Sequence, residues 1–246
     1  MTLCGIRLPE IRALPGGVVN KSVANEGRVA RNETFFSRLF IEQQHRLSDA
    51  FTDYVKKENA ADTILDVGRF APGNMECGLS AYVDEPLRSR IRSYRIPSHT
   101  SDPVPENCLL KDDVVRLPFG NAEFDWVFCN GVIEHLGSTR QQYGLVEEIM
   151  RIAGKGVFLA TQNRRHLIDF QASLPFVHWL PDQWRRRVIG WAGRNTAALG
   201  SCPHYLNSGS LYQFAQMLPD KPEHDVGHKR VFGIKAHFFL MITKRK

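Results

Sequence analysis

Apolar positions recur along the chain with two different periods. Over residues 33–58, aromatic and aliphatic side chains return every three to four positions, which predicts an amphipathic helix with Asn32 as its N-cap. A second helix with one apolar face is predicted over residues 139–153. Short apolar runs typical of buried strands lie at residues 63–68, 79–83, 107–110, 124–130 and 157–161. Strands that alternate with helices or loops predict right-handed crossovers and a mostly parallel sheet.

This alternation stops after residue 163, where a long segment with three tryptophans precedes two β-like runs. We interpret the segment as an inserted helical cap and the runs 230–234 and 237–243 as an antiparallel hairpin at the sheet edge. The predicted fold class is α/β: a doubly wound seven-stranded sheet, mostly parallel, with a C-terminal antiparallel hairpin and a helical cap insertion. Its predicted parts are an N-terminal arm and helix (1–60), the core (61–163), the cap (164–228) and the hairpin (229–246).

Composition places the chain among ordinary globular proteins. Its 246 residues are 43% hydrophobic and 24% charged, which suits one decorated α/β domain. No apolar run reaches the roughly 20 residues needed to cross a bilayer, and the first residues lack the apolar stretch of a secretory signal. The five cysteines are scattered without metal-binding spacing, so we expect free thiols, a cytoplasmic location and no metal site.

The net charge of +6, with a pI near 9.2, changes the picture only slightly. A basic chain is compatible with nucleic acid, an anionic lipid surface or an acidic substrate, and equally with a merely solvated basic surface. No nucleic-acid-binding module is recognisable, so we do not expect nucleic acid as a partner. The sequence carries no signal for an oligomeric state.

A set of ordered motifs resembles one enzyme superfamily. The segments are ILDVG (64–68), DVVRLPF (113–119), EFDWVFC (123–129), VIEHL (132–136) and EEIMR with GKG (147–151 and 154–156). In this order they resemble class I S-adenosylmethionine-dependent methyltransferases, and TQNR (161–164) with LPFVHWLP (174–181) resembles a bacterial subgroup of them. The resemblance implies a Rossmann-like sheet, S-adenosylmethionine as cofactor, and methylation of a small-molecule acceptor such as a saccharide, lipid or secondary metabolite.

The same resemblance implies a cofactor site at the carboxyl ends of the strands. A glycine turn lets the backbone approach the donor, and an acid at the end of the second strand accepts from the ribose hydroxyls. Asp113 is implied to accept from the adenine amine, with the Val114 backbone beside the ring. The predicted cofactor-binding residues are Asp66, Gly68, Gly73, Asp84, Glu85, Asp113, Val114 and Asn130. Asp84 or Glu85 is the candidate for the ribose only if the poorly marked second strand ends there. Gly68, Asp66 and Asp113 also fit simpler roles as turn, strand-end or cap residues.

Two departures from the family pattern leave a second interpretation open. Phe70 and Pro72 replace the second and third glycines of the usual G-x-G-x-G loop, which removes one N–H donor and resists positive φ. Gly131 replaces the first acid of the E-x-x-E-H metal motif found in quinone-biosynthesis relatives, which agrees with no metal site. The chain is therefore predicted to be either an active methyltransferase or a catalytically inactive binding or scaffold relative.

Candidate catalytic residues follow from the chemistry of methyl transfer. The protein must align donor and acceptor, and an oxygen acceptor usually needs a base to take its proton, so we expect O-methylation assisted by histidine. We predict His135 and His166 as candidate bases and Asn163 as a residue that positions the acceptor, although a buried histidine more often has a structural role. An apolar stripe is formed by Leu180, Trp184, Val188 and Trp191. It predicts packing of the cap on the domain, with a helix on an anionic membrane surface as the alternative.

Overall fold

The structure is a computed structural model, and its described residues cover most of the predicted core. They are residues 35–55, 61–69, 78–96, 109–111, 114–163, 165–166, 168–169, 174–191, 204 and 206–244. The predicted cofactor residues Gly73 and Asp113, the altered loop positions Phe70 and Pro72, and the N-terminal arm lie outside the described residues.

Helices and strands alternate through the first half of the described chain. The helices are α1 (Phe35–Val55), α2 (Glu85–Arg88), α3 (Thr139–Ile152), α4 (Asp182–Trp191) and α5 (Ser208–Met217). The strands are β1 (Ile64–Arg69), β2 (Ile91–Ile96), β3 (Leu109–Lys111), β4 (Val114–Arg116), β5 (Phe124–Asn130), β6 (Ala153–Gln162), β7 (Ile168–Asp169), β8 (Leu174–Pro175), β9 (Glu223–Val231) and β10 (Ile234–Thr243). None of the helices in the described part of the chain is both long and apolar enough to cross a membrane.

One mixed sheet forms the centre of the domain, in the order β2-β1-β5-β6-β10-β9. The first four strands run parallel, and β10 pairs antiparallel with both β6 and β9. The α/β prediction, with a mostly parallel sheet and a C-terminal antiparallel pair, is confirmed. The described residues supply six strands to this sheet rather than seven, because β3 pairs with β4 in a separate hairpin.

The predicted second strand at residues 79–83 is wrong. Residues Leu79–Tyr82 form a 3₁₀ turn and α2 follows, with a proline in its first turn that favours helix initiation. Leu79, Val83 and Leu87 are all buried, and their spacing of four residues fits helical turns rather than an alternating strand. The true second strand is β2, whose two arginines and serine hide it from a hydropathy pattern.

Apolar side chains cover both faces of the sheet, as a doubly wound fold requires. One face packs against α3 and α5. The other packs against α1, where Phe51 contacts the rings of Trp126, Phe128 and Phe158 at centroid distances of 6.4, 5.2 and 5.7 Å. Burying an aromatic ring of this kind contributes roughly 2–3 kcal/mol to folding, so α1 is held firmly on the sheet.

Charged groups tie the strands together at the amino end of the sheet. Asp62, just before β1, accepts hydrogen bonds from Trp126 Nε1 of β5, at 2.9 Å, and from Lys155 Nζ of β6. Asp125 accepts from the Thr63 backbone N–H at 2.9 Å and also pairs with Lys155. These contacts join the beginnings of three neighbouring strands.

The predicted cap is too long, and its apolar stripe points the other way. Helix α5 packs on the main core, and β9 already begins at Glu223, so the hairpin starts before residue 229. The start of the hairpin was placed too late because β9 is a polar edge strand, and charged residues commonly protect sheet edges. In α4 the predicted packing face is exposed: Trp184, Val188 and Trp191 lie at 58%, 36% and 95% of full exposure.

Candidate functional site

The strand order changes direction between β1 and β5, and open α/β sheets bind their ligands in a crevice at the carboxyl edge beside such a switch point. Val67 pairs with Cys129, so Gly68 and Asn130 are the next residues on adjacent strands. On its other side Gly68 pairs with Arg95 of β2. Two of the predicted cofactor residues, Gly68 and Asn130, therefore lie together where open α/β sheets bind their ligands.

Asp66 lies in β1, two residues before Gly68, and its buried carboxylate forms an ion pair with Arg95. Its Oδ2 accepts from Arg95 Nη2 at 2.9 Å and from the Leu79 backbone N–H at 3.1 Å, and Ser93 Oγ lies at 3.4 Å. Burial raises the pKa of Asp66, while the Arg95 guanidinium works in the opposite direction. These bonds give Asp66 a structural role, since they hold the start of the 3₁₀ segment against β1 and β2.

Two glycines make room for the Arg95 guanidinium. A Cβ added to Gly68 would lie 3.1 Å from Arg95 Nη1, and one added to Gly78 would lie 2.3 Å from Nη2. The guanidinium also donates to the Asp66 carbonyl at 3.1 Å. Because Gly68 has no side chain, the Arg95 guanidinium fits against it. Arg95 lies near the end of β2, where the family resemblance implies an acid.

Asp84 and Glu85 do not lie at the end of β2, so their prediction as ribose ligands is wrong in its premise. Asp84 is the N-cap of α2 and Glu85 its first residue, and both precede β2. The Ile64 backbone N–H at the start of β1 donates to the carbonyl of Arg90, just after α2, at 3.1 Å. The pair therefore lies toward the amino end of the parallel strands, opposite the crevice.

Helix α1 covers the end of β5. Asn130 Nδ2 donates to the Gln44 side-chain oxygen, and Gln44 is itself buried. Gly131 follows with φ of +67°, a conformation that favours glycine and turns the chain sharply after β5. Asn130 is thus oriented by α1 rather than by the strand alone.

Glu134 lies just after this turn and is a candidate catalytic residue that motif order alone did not predict. Its side chain is buried, and its Oε2 accepts from Thr161 Oγ1 of β6 at 3.1 Å. Burial raises the pKa of Glu134 to about 7, against the opposing effects of hydrogen bonds and of Arg69. A carboxyl with this pKa exchanges its proton near neutral pH, as a general base should. The sequence signal that could have identified Glu134 is its position next to His135 in the VIEHL motif.

His135 fits less well the catalytic role predicted for it. Burial and the nearby positive charges of Arg69 and Arg185 hold its pKa far below the usual value of histidine. The ring stays neutral at physiological pH, but it retains little affinity for a proton taken from an acceptor. The prediction of His135 as a base remains untested, and the electrostatics favour Glu134.

Asn163 and His166 follow the carboxyl end of β6, where both make hydrogen bonds to neighbouring backbone. Asn163 Nδ2 donates to the Lys235 carbonyl at 2.7 Å, and its Oδ1 accepts from the Arg165 backbone N–H at 3.0 Å. The His166 backbone N–H donates to the Asn163 carbonyl at 3.0 Å, and its ring is buried beside His237. These contacts fasten the end of β6 to the start of β10.

The remaining predicted residues give little further information. Val114 begins β4 and pairs with Lys111 in the small hairpin outside the main sheet. Within the ranges the structure describes, no group of three or more His, Cys, Asp or Glu residues is arranged to hold a metal ion.

Comparisons with known proteins point to the same enzyme class as the motifs. Residues 94–161 match the family model described as "Methyltransferase domain". This match and the observed sheet confirm the resemblance to class I S-adenosylmethionine-dependent methyltransferases, whose methyl donor is S-adenosylmethionine. A search of curated proteins found no match.

Several solved methyltransferase structures are similar at low identity. The methyltransferase domain of bacterial CtHen1-C is 15% identical with a TM-score of 0.40, over 82% of this chain and 99% of that one. A methyltransferase from Thermotoga maritima is 11% identical with a TM-score of 0.40, over 85% and 98% of the two chains. One from Methanosarcina mazei is 12% identical with a TM-score of 0.41, over 76% and 93%. Similarity at this level carries no information on substrate.

The described residues at this edge differ in how well they suit S-adenosylmethionine, and the poorer match is at the ribose. Gly68, Asn130 and Glu134 supply a bare backbone, an amide and a titratable carboxyl beside the β1–β5 switch point. Strand β2 contains no acid for the ribose, and Arg95, with 26% of its side chain exposed, lies there instead. A guanidinium offers only donors, so it cannot accept from the ribose hydroxyls.

Proposed function

We propose that this protein, which carries a methyltransferase domain, transfers a methyl group from S-adenosylmethionine to an oxygen of a small molecule. The observation that carries the proposal is the placement of Gly68 and Asn130 side by side at the switch point between β1 and β5. The cofactor, when bound, would supply an electrophilic methyl group. The chain's own contribution is to orient the two reactants and to receive a proton.

We assign to Glu134 the role of general base, which takes the proton from the acceptor hydroxyl. Its buried carboxyl has a pKa of about 7, and Thr161 fixes its orientation through a hydrogen bond. A carboxylate in this position draws a proton from a hydroxyl more effectively than the strongly depressed His135. Because Glu134 is only 2% exposed, only a small molecule or a slender chain end would reach it, which supports a saccharide, lipid or secondary metabolite as acceptor.

The proposal is tested first by calorimetric titration with S-adenosylmethionine and its demethylated product. Gly68→Ala should weaken binding about tenfold or more, because the added methyl group fills the bare backbone at this edge and would lie 3.1 Å from Arg95 Nη1. Gly120→Ala is the matched control, because its added Cβ would meet only Glu123 Oε2, at 3.5 Å. An absence of binding by the native protein at millimolar donor would refute the cofactor assignment.

The second test follows the methyl group. The protein is incubated with S-adenosylmethionine labelled in the methyl group and with saccharide, lipid and small-metabolite fractions, and labelled products are separated by mass. Transfer by the native protein, with a loss of roughly 100-fold or more in Glu134→Gln, would support both the reaction and the role of the carboxyl.

One observation favours a second function, that of a binding module without catalysis. Arg95 lies against Gly68 and is held there by Asp66, at the point where the donor's ribose would need an acceptor. If the native protein binds the donor but transfers no label to any fraction, the binding function stands and the catalytic one fails.

A further inference from the structure

Helix α4 exposes three of its four large apolar side chains to solvent. Trp184 and Trp191 lie at 58% and 95% of full exposure, and Val188 lies at 36%. The preceding 3₁₀ turn adds Phe176 and Trp179, at 51% and 50%, with their rings 5.6 Å apart. We refer to these five residues as the aromatic face. Large exposed apolar patches are uncommon on monomeric proteins and mark interaction surfaces.

The adjacent face of α4 fixes the helix in this orientation. Ile189 is fully buried and packs against Val177 and the partly buried Leu174. Arg185, four residues before Ile189, is also buried. Residues 185 and 189 share one face of a helix, and residues 184, 188 and 191 share the face next to it. The aromatic face therefore cannot turn inward without unpacking Ile189 and exposing it to water.

Positive charge accompanies the exposed tryptophans. Arg186 and Arg187 are exposed, and the Arg187 guanidinium lies 5.6 Å from the centre of the Trp184 ring. Asp182 at the helix start is the only acid in α4. Tryptophan favours the boundary between hydrocarbon and water, and arginine favours anionic headgroups, so the combination is typical of helices that lie in a membrane interface.

We propose that the aromatic face docks this protein onto an anionic membrane surface. A second copy of the chain suits the face less well, because a two-fold interface would bring each Arg187 toward its counterpart's positive charge. Phosphate headgroups complement the same arginines, and the headgroup region accommodates the indole rings. The inference does not depend on methyl transfer, because docking is measured without cofactor.

Vesicle co-sedimentation of the full chain tests the docking directly. Vesicles of phosphatidylcholine with 30% phosphatidylglycerol, a proportion of about one lipid in three chosen to give a clear anionic surface, are compared with pure phosphatidylcholine. We expect binding to the anionic vesicles, weakened by high salt, with a blue shift of tryptophan fluorescence. Trp184→Ser with Trp191→Ser should reduce the affinity by roughly tenfold or more, because less apolar area is buried.

Two variants separate the aromatic and charge contributions. Arg186→Gln with Arg187→Gln should weaken anionic binding severalfold and reduce its salt dependence. Tyr212→Ser is the matched control, because Tyr212 is 52% exposed on α5, outside the aromatic face, and should leave vesicle binding unchanged. Circular dichroism confirms that each variant is folded.

Three results would overturn the proposal. The first is no binding of the native protein to anionic vesicles. The second is equal binding by the native protein and the tryptophan variant. The third is a concentration-dependent dimer, detected by light scattering, that Trp191→Ser dissociates, because the face would then serve self-association.

Discussion

Replacing Glu134 by glutamine should change how stability depends on pH. The pKa of Glu134 is about 7 in the folded protein, against 4.5 for an ordinary glutamate, so the folded state favours the protonated carboxyl. The contribution of Glu134 to stability is therefore fully present below pH 4.5 and is lost as the pH rises through 7. A difference of 2.5 pKa units corresponds to roughly 3 kcal/mol, since each unit is about 1.4 kcal/mol.

Most of this loss of stability falls between pH 5 and pH 8, a range in which unfolding can be measured. About 1 kcal/mol is already lost at pH 5, so the native protein should lose about 2–3 kcal/mol relative to Glu134→Gln between pH 5 and pH 8. For a domain of this size the corresponding shift in Tm is roughly 5–10 °C. The neutral glutamine keeps an oxygen that can accept from Thr161, so the comparison isolates the charge.

Thermal unfolding followed by circular dichroism at pH 5 and pH 8 measures the effect. Glu223→Gln serves as the control, because Glu223 is an exposed carboxylate at the start of β9, and its Tm should follow that of the native protein. A Tm difference between the native protein and Glu134→Gln that is the same at both pH values would refute the assignment of Glu134 as a buried group that titrates near neutrality.

Three further substitutions probe packing and the crevice. Phe51→Ala should lower the free energy of unfolding by about 3–5 kcal/mol in urea titrations, whereas Tyr54→Ala, at a position 39% exposed, should cost under about 1 kcal/mol. Gly156→Ala should cost about 1–3 kcal/mol, because its Cβ would lie 2.5 Å from a carbonyl oxygen of β10, and Gly120→Ala should be neutral by the same measurement. Arg95→Ala should tighten binding of the demethylated cofactor in calorimetry by removing the guanidinium that lies against Gly68; weaker binding would instead show that the guanidinium contacts the cofactor.

Periodicity predicted the parts of the fold that are buried on a regular face. Helix α1 and strands β1, β5 and β6 were found because their apolar residues are continuous or regularly spaced. Strand β2 was missed because it combines Arg92, Ser93 and Arg95 with half-buried apolar residues. The edge strand β9 was missed in part for the same reason, since an edge needs charges as well as apolar contacts.

The candidate site was predicted less completely than the fold. Motif order located Gly68, Asn130 and the EH pair at one edge, because strand ends are set by topology. Which member of that pair has the useful pKa depends on burial and on Arg69 and Arg185, which are distant in sequence. The position of Arg95 over Gly68 likewise depends on strand register, which no linear pattern records.

The contacts of Asp62 and Asp125 with Lys155 lie at the end of the sheet opposite the crevice. They join the starts of β1, β5 and β6, so the spacing of these strands is set without any help from the residues that face a ligand. Substitutions at the carboxyl edge can therefore accumulate without loosening this frame. A scaffold organised in this way lets the two ends of one sheet diverge independently over evolutionary time.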